Sequence, residues 1–206
     1  GNSIYVGNST YKTEASVGGL VGYSSNDPYI NRAFANINGF IKSNSKGDSY
    51  AGGLTGNRNQ FFVNSLIAKN IMVLADGIIS TSGNSYKGYA GYIIGRPKSD
   101  TMAIENAYYN TEMNLTSSTN DINSEGIAKS KKSMNVAFYT NIMGLTPYSS
   151  LNNLKENNQA VWVLKNSELP ELYYNCLNYI TVSDDIENGS VTIDKEQAID
   201  GEIVTV

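Results

Sequence analysis

Apolar side chains in the first 110 residues come in short runs, three to a repeat, parted by Gly, Asn, Ser and Asp. The run Gly18-Gly19-Leu20-Val21-Gly22 recurs as Gly52-Gly53-Leu54-Thr55-Gly56 and, loosened, as Gly91-Tyr92-Ile93-Ile94-Gly95. The closing glycines lie 34 and 39 residues apart (56 − 22 and 95 − 56), a period that marks stacked supersecondary units. Ser49-Tyr50-Ala51-Gly52 returns as Gly88-Tyr89-Ala90-Gly91, and Gly39-Phe40-Ile41-Lys42-Ser43 as Gly77-Ile78-Ile79-Ser80-Thr81. A third block, Ile30-Asn31-Arg32-Ala33-Phe34-Ala35, is matched with Val63-Asn64-Ser65-Leu66-Ile67-Ala68 and Ile104-Glu105-Asn106-Ala107-Tyr108-Tyr109.

Runs this short, rich in β-branched and aromatic residues and bounded by turn formers, predict strands rather than helices. Three strands per repeat predict one coil of a solenoid. Period-2 alternation places Leu20, Leu54 and Ile93 on one face of the first strand, assigned to the interior, and Val21, Thr55 and Ile94 on the other. The flanking glycines are expected to leave room for the neighbouring coil and to permit positive φ at the corner. In the 30–35 block the phase stays open, since Arg32, Ser65 and Asn106 fit either an alternation or a bulge.

Beyond Asn110 the pattern changes. Residues 114–123 read as a polar loop, followed by a helix over 127–143 that Ser130 or Ser133 could cap. Its apolar positions are Met134, Ala137, Phe138 and Ile142, and Gly144 is its stop. A strand is expected around Trp162. The last coil of a solenoid leaves apolar side chains and strand edges uncovered, so residues 111–175 are expected to cap it, with Phe138 and Trp162 as plugs. Residues 177–206 predict the truncated start of a second small β module. Its strands are expected at 179–182, 190–193 and 203–206 with a turn at Asn188-Gly189, and its free edge could pair with another chain.

Composition narrows the function classes. The formal net charge of −4 argues against nucleic acid, because neutralising phosphates needs clustered Lys and Arg. The one basic cluster, Lys129-Ser130-Lys131-Lys132, reads as a solvated helix start. No run approaches the ~18 apolar residues of a membrane span. Gly1 reads as a remnant rather than a natural start, so the natural protein is expected to be longer. With no histidine and a single cysteine, Cys176, neither a Cys-His nucleophile nor an internal disulfide can form. Carboxylates remain, but Asp27 and Asp100, each five residues after a closing glycine, have Phe61 as their equivalent in the middle repeat, and Asp48, Asp76 and Glu105 have no acidic repeat equivalents. They read as turn caps. For calcium, Asp184-Asp185 with Glu187, and Asn26-Asp27, lack a recognised loop pattern. The expectation is therefore no catalytic residue, no metal and no cofactor.

Gly-Gly-Leu-Val-Gly-Tyr at 18–23, its variant at 52–57 and the Ile-x-x-Ala-Phe-Ala block resemble the GLUG motif of bacterial surface proteins, which also occurs in the non-catalytic region of immunoglobulin A peptidases. Phe138-Tyr139, Gly144-Leu145, Trp162 and Leu169-Pro170-Glu171-Leu172 are similar to the segment that closes such repeats. Residues 180–206 resemble the opening of the small β-repeats downstream of them. The resemblance implies an all-β fold, a right-handed parallel β-helix of about three to four coils, on a secreted or wall-anchored bacterial protein. It implies adhesion or display as the role.

Fifteen tyrosines supply flat contact area with a hydrogen-bonding tip. Tyr50, Tyr89, Tyr108 and Tyr109 are the candidate binding residues, as a stripe that would contact a glycan or host surface protein; the alternative is that they pack the coils. A polysaccharide-active β-helix lyase or glycosidase using Asp and Glu is the competing function.

Overall fold

The computed structural model describes residues 2–8, 10–24, 29–58, 67–96, 103–145, 162–163, 169–172, 177–183, 185, 189–199 and 203–206. The described chain is mostly β and forms two compact units, Gly1–Gly144 and Leu145–Val206.

The first unit is laid down in rounds. The first supplies β1 (Ile4–Asn8), β2 (Ala15–Gly18), β3 (Val21–Ser24) and β4 (Tyr29–Asn36). The second supplies β5 (Phe40–Ser45), β6 (Ser49–Gly52), β7 (Thr55–Arg58) and β8 (Ile67–Leu74). The third has β9 (Gly77–Thr81), β10 (Gly88–Gly91) and β11 (Ala103–Asn110), with only a Thr55–Ile94 bridge where a strand would follow β10. The fourth has β12 (Asn114–Ser117), β13 (Asp121–Asn123) and β14 (Ile127–Lys129). Every strand pairs in parallel with its counterpart one round away, giving sheets β1-β5-β9-β12, β2-β6-β10-β13, β4-β8-β11-β14 and β3-β7. The chain thus visits the sheets in a constant order. Within residues 114–123, expected as a loop, 114–117 and 121–123 are strands of the fourth round joined by a turn: pairing with β9 and β10 outweighs their polar composition.

The interior is a set of register columns. Ile41 and Ile78 are fully buried between Ile4 and Leu115 in the first sheet, and Val17, Ala51 and Ala90 line the second. Polar rungs bind the rounds together inside this core. Ser43, Ser80 and Ser117 share one column and are buried, and each hydroxyl donates to a carbonyl of the preceding round: Ala15, Ser49 and Gly88, themselves register equivalents. Asn110, fully buried, accepts from the Ala75 N–H at 3.0 Å and donates to the Ala75 carbonyl at 3.1 Å. Each rung satisfies buried groups that would otherwise carry a desolvation cost.

Two expected alignments shift. Phe40 pairs with Gly77 and Ile41 with Ile78, one residue from the expected match, which puts the two isoleucines rather than Ile79 in the core column. The partner of Ile30-Asn31-Arg32-Ala33 is Ala68-Lys69-Asn70-Ile71, not 63–66, which falls outside the described residues. The match to Ile104–Ala107 holds through β8, and the register runs one-for-one past Arg32 and Asn106, with no residue inserted on either strand. Arg32, Asn70 and Asn106 stand in one column at φ of 53°, 55° and 50°. That left-handed residue breaks the period-2 alternation, so that Ile30 and Ala33, like Ala68 and Ile71, all pack with the core.

The glycine blocks align as expected, Gly18 with Gly52 and Gly91, and Val21 with Thr55. Of the two expected reasons, room for the neighbouring round holds and positive φ does not. None of these glycines has positive φ; only Gly126 and Gly144 do among the described glycines. What they require is close approach: a Cβ on Gly91 would fall on the Ile94 carbonyl oxygen, one on Gly53 would come within 2.6 Å of Val73, and one on Gly95 within 2.6 Å of the Ala51 oxygen. Leu54 and Ile93 are fully buried, but Leu20 is 54% exposed, contrary to its interior assignment. It lies between β2 and β3, both edge strands, with no round on its far side among the described residues.

After the fourth round a 3-10 turn at Lys131–Ser133 leads into α1 (Val136–Asn141), shorter than expected. The cap is Asn135, whose side chain accepts from the Phe138 N–H at 3.1 Å, rather than either serine. Gly144 sits beyond it at φ 64°. The buried residues are Met134, Phe138, Tyr139 and Met143, while Ala137 and Ile142 face solvent, against expectation. In the second unit β15 (Trp162–Val163) pairs antiparallel with β16 (Glu171–Leu172), and β17 (Leu177–Tyr179) with β18 (Gln197–Ile199). Residues 190–193 and 203–206, expected as strands, are not strands; β18 lies between them. The Trp162 side chain, Cys176 and Asn188 lie outside the described residues.

Candidate functional site

The outward face of the second sheet carries the column Ser16, Tyr50, Tyr89 and Asp121, because the residues on either side, Ala15 with Val17 and Ala51 with Ala90, point into the core. Stacked rounds bring Tyr50 and Tyr89 ring to ring, centroids 5.1 Å apart and 7° from parallel. Over them comes Arg96, which follows the third glycine block. Its N–H bonds the Gly56 carbonyl at 3.1 Å, which sets it beside Asn57 of the previous round. The guanidinium lies 5.2 Å from each ring centre and donates to the Tyr50 hydroxyl at 2.8 Å. That hydroxyl in turn donates to Asp48 at 3.1 Å.

The surrounding charges are engaged. Asp48 also accepts the Lys87 N–H at 2.9 Å. Asp121 accepts from Thr119 at 2.9 Å and ion-pairs with Lys87 at 3.7 Å, and Glu14 receives the Asn57 amide at 3.5 Å. Burial pushes the Tyr50 phenol far above its ordinary range; Arg96 pulls it back, and Glu14 and Asp48 push it further up. Tyr50 therefore stays protonated, a donor to Asp48 and an acceptor from Arg96. Below Arg96, the Thr55 hydroxyl and the Asn57 side-chain oxygen are buried without a hydrogen-bond partner among the described residues.

Of the four tyrosines expected to form a stripe, Tyr50 is fully buried and Tyr108 is 7% exposed. Tyr108 and Tyr109 belong to a different sheet and to opposite faces of it. Tyr109 stacks on Tyr92 at 3.8 Å beside the core, and Tyr108 meets Phe138 edge-on at 4.9 Å, with Lys129 over both rings. One continuous exposed stripe is thus absent; the structure brings Tyr50 and Tyr89 together and keeps the other pair apart. Lys129, expected only as part of a solvated run, covers aromatic rings instead. Arg96 was not singled out from sequence. Its signal is its place directly after a closing glycine, where the earlier rounds carry Tyr23 and Asn57. Asp27, Asp100, Phe61, Asp184 and Glu187 lie outside the described residues, and Glu105 forms an ion pair with Lys69 at 2.8 Å.

No helix among the described residues is long and apolar enough to cross a membrane. Comparison with models of protein families, with curated proteins and with solved structures finds no match.

Proposed function

We propose that this chain is a non-catalytic segment of a bacterial cell-surface or secreted protein, a scaffold that presents an interaction surface to glycans or host proteins. The observation that carries the reading is the constant order in which successive rounds revisit the parallel sheets, held by repeated serine rungs. Such an arrangement, read as a right-handed parallel β-helix, builds a rigid surface from nearest-neighbour contacts. It places outward side chains in rows about 4.8 Å apart. The resemblance of the glycine blocks to the GLUG motif supports the same location and role. The Tyr50–Tyr89 pair with Arg96 and Asp48 is the best-organised polar and aromatic cluster on that surface.

The test is to print the whole chain against glycan and host surface-protein arrays and, in parallel, to incubate it with a panel of bacterial and host polysaccharides. Saturable retention without release of reducing or unsaturated ends is expected. Depolymerisation would overturn the reading in favour of a lyase or glycosidase.

A further inference from the structure

Arg96 is oriented before any ligand arrives. Its guanidinium lies 5.2 Å from the centres of two stacked rings and the Tyr50 hydroxyl takes one of its N–H groups, so much of its side-chain freedom is already lost. Yet among the described residues it has no carboxylate partner: Asp48, Glu14 and Asp121 are bonded to Tyr50 and Lys87, to Asn57, and to Thr119 and Lys87 respectively. Among the described residues the remaining guanidinium N–H groups have no acceptor. Arg96 and Tyr89 are only partly buried, whereas the Tyr50 anchor beneath them is fully buried. A second cation, the Lys87 ammonium, lies 5.9 Å from the Tyr89 ring centre.

A planar, pre-set donor fork beside an aromatic ring recognises a planar anion attached to a ring with an apolar face. We propose that Arg96 and Tyr89 form a subsite for an acidic saccharide, the sugar carboxylate taken by the free side of the Arg96 fork and the sugar ring resting against Tyr89. Lys87 is held by Asp121, so the attraction for the carboxylate is short-range and comes from Arg96. The engaged carboxylates around the fork discriminate against ligands that bring an anion anywhere else. This inference rests on the glycan-binding reading and names its ligand class.

The experiment measures binding of trigalacturonate and 3′-sialyllactose, with maltotriose and lactose as neutral counterparts, to the full chain and to R96Q and R96K. The native chain is expected to retain an acidic probe over its neutral counterpart, with affinity falling as salt rises. R96Q is expected to lose about tenfold or more in affinity for that probe. R96K keeps the charge but not the fork and is expected to lose most of the same affinity. Thermal unfolding of each variant separates a lost fork from a lost fold, and R96K with native-like melting decides the matter if R96Q does not fold. Equal binding of neutral and acidic probes, or unchanged affinity in R96K, overturns the subsite while leaving glycan binding standing. Binding of host proteins with no saccharide retained overturns the subsite and leaves the scaffold reading. No retention of any array component overturns both.

Discussion

The Ser80 hydroxyl donates to the Ser49 carbonyl at 2.8 Å, across two successive rounds and inside the core. Its column neighbour Ser43 does the same to Ala15 at 3.0 Å and also accepts from the Ser49 hydroxyl at 2.8 Å. Replacing Ser80 by Ala is expected to cost about 1 kcal/mol, the net worth of one such bond. Ser43→Ala should cost more, about 1–3 kcal/mol, because it also strands the buried Ser49 hydroxyl. Urea unfolding checks both; equal costs would show that Ser49 finds another partner.

The glycine blocks predict a graded response. A Cβ on Gly52 would strike the Thr55 carbonyl, which is backbone and cannot swing away, whereas one on Gly22 would meet the Ser16 oxygen at 3.2 Å. Gly52→Ala is expected to destabilise by more than about 2 kcal/mol and Gly22→Ala by under about 1 kcal/mol. Melting curves that rank Gly22→Ala as the worse change would overturn the steric account.

Asn70 combines a left-handed backbone with a ladder. Its amide donates to Asn31 at 3.1 Å and its oxygen accepts from Asn106 at 3.2 Å, at φ 55°. Asn70→Ala loses both bonds and leaves a Cβ in the costly region, so Asn70→Gly should be the milder substitution by about 1 kcal/mol. Were Ala the better tolerated of the two, the left-handed backbone at Asn70 would not be what the position requires.

Tyr139 is fully buried and its hydroxyl has no partner among the described residues; burial pushes its pKa from 10.0 up to about 12. The folded chain therefore keeps this proton when the unfolded chain has lost it. The stability it contributes is complete below pH 10 and declines as pH rises toward about 12. Tyr50, shifted the same way, adds to that decline. Tyr139→Phe is expected to be neutral or slightly stabilising at pH 7 and to flatten the loss above pH 10. Denaturant midpoints between pH 7 and 11 measure this, and an unchanged alkaline slope would contradict the assignment.

Much of the first unit was legible because its rounds repeat. Ser49–Gly52 over Gly88–Gly91 and the three glycine blocks pair as the repeated letters suggest, since equivalent residues in a parallel stack meet the same surroundings. Where the letters diverged, local likeness misled: 63–68 resembled the block that Ala68–Val73 actually fills, and the polar run 114–123 gave no apolar alternation by which to recognise two strands. The helix cap is Asn135 rather than Ser130 or Ser133 because capping depends on which side-chain oxygen reaches the third N–H beyond it.

The candidate site was the less legible part. Tyr50 and Tyr89 could be matched by period, but exposure could not. Period says which residues share a column, and what lies over the column comes from another part of the chain. Arg96 reaches Tyr50 across 46 residues, and nothing in its immediate neighbours announces that contact.

The amino-acid sequence by itself determined the repeat, the strands of its best-conforming blocks and the spacing of its glycines, because these depend on short-range stereochemistry and on one round resembling the next. The tertiary structure alone decided which face of each strand is covered, why the glycines are glycines and which tyrosines meet a cation. Several of those outcomes turn on approaches of a few ångströms between residues more than thirty apart, such as Gly95 to the Ala51 carbonyl and Arg96 to the Tyr50 hydroxyl, and no local pattern encodes such distances.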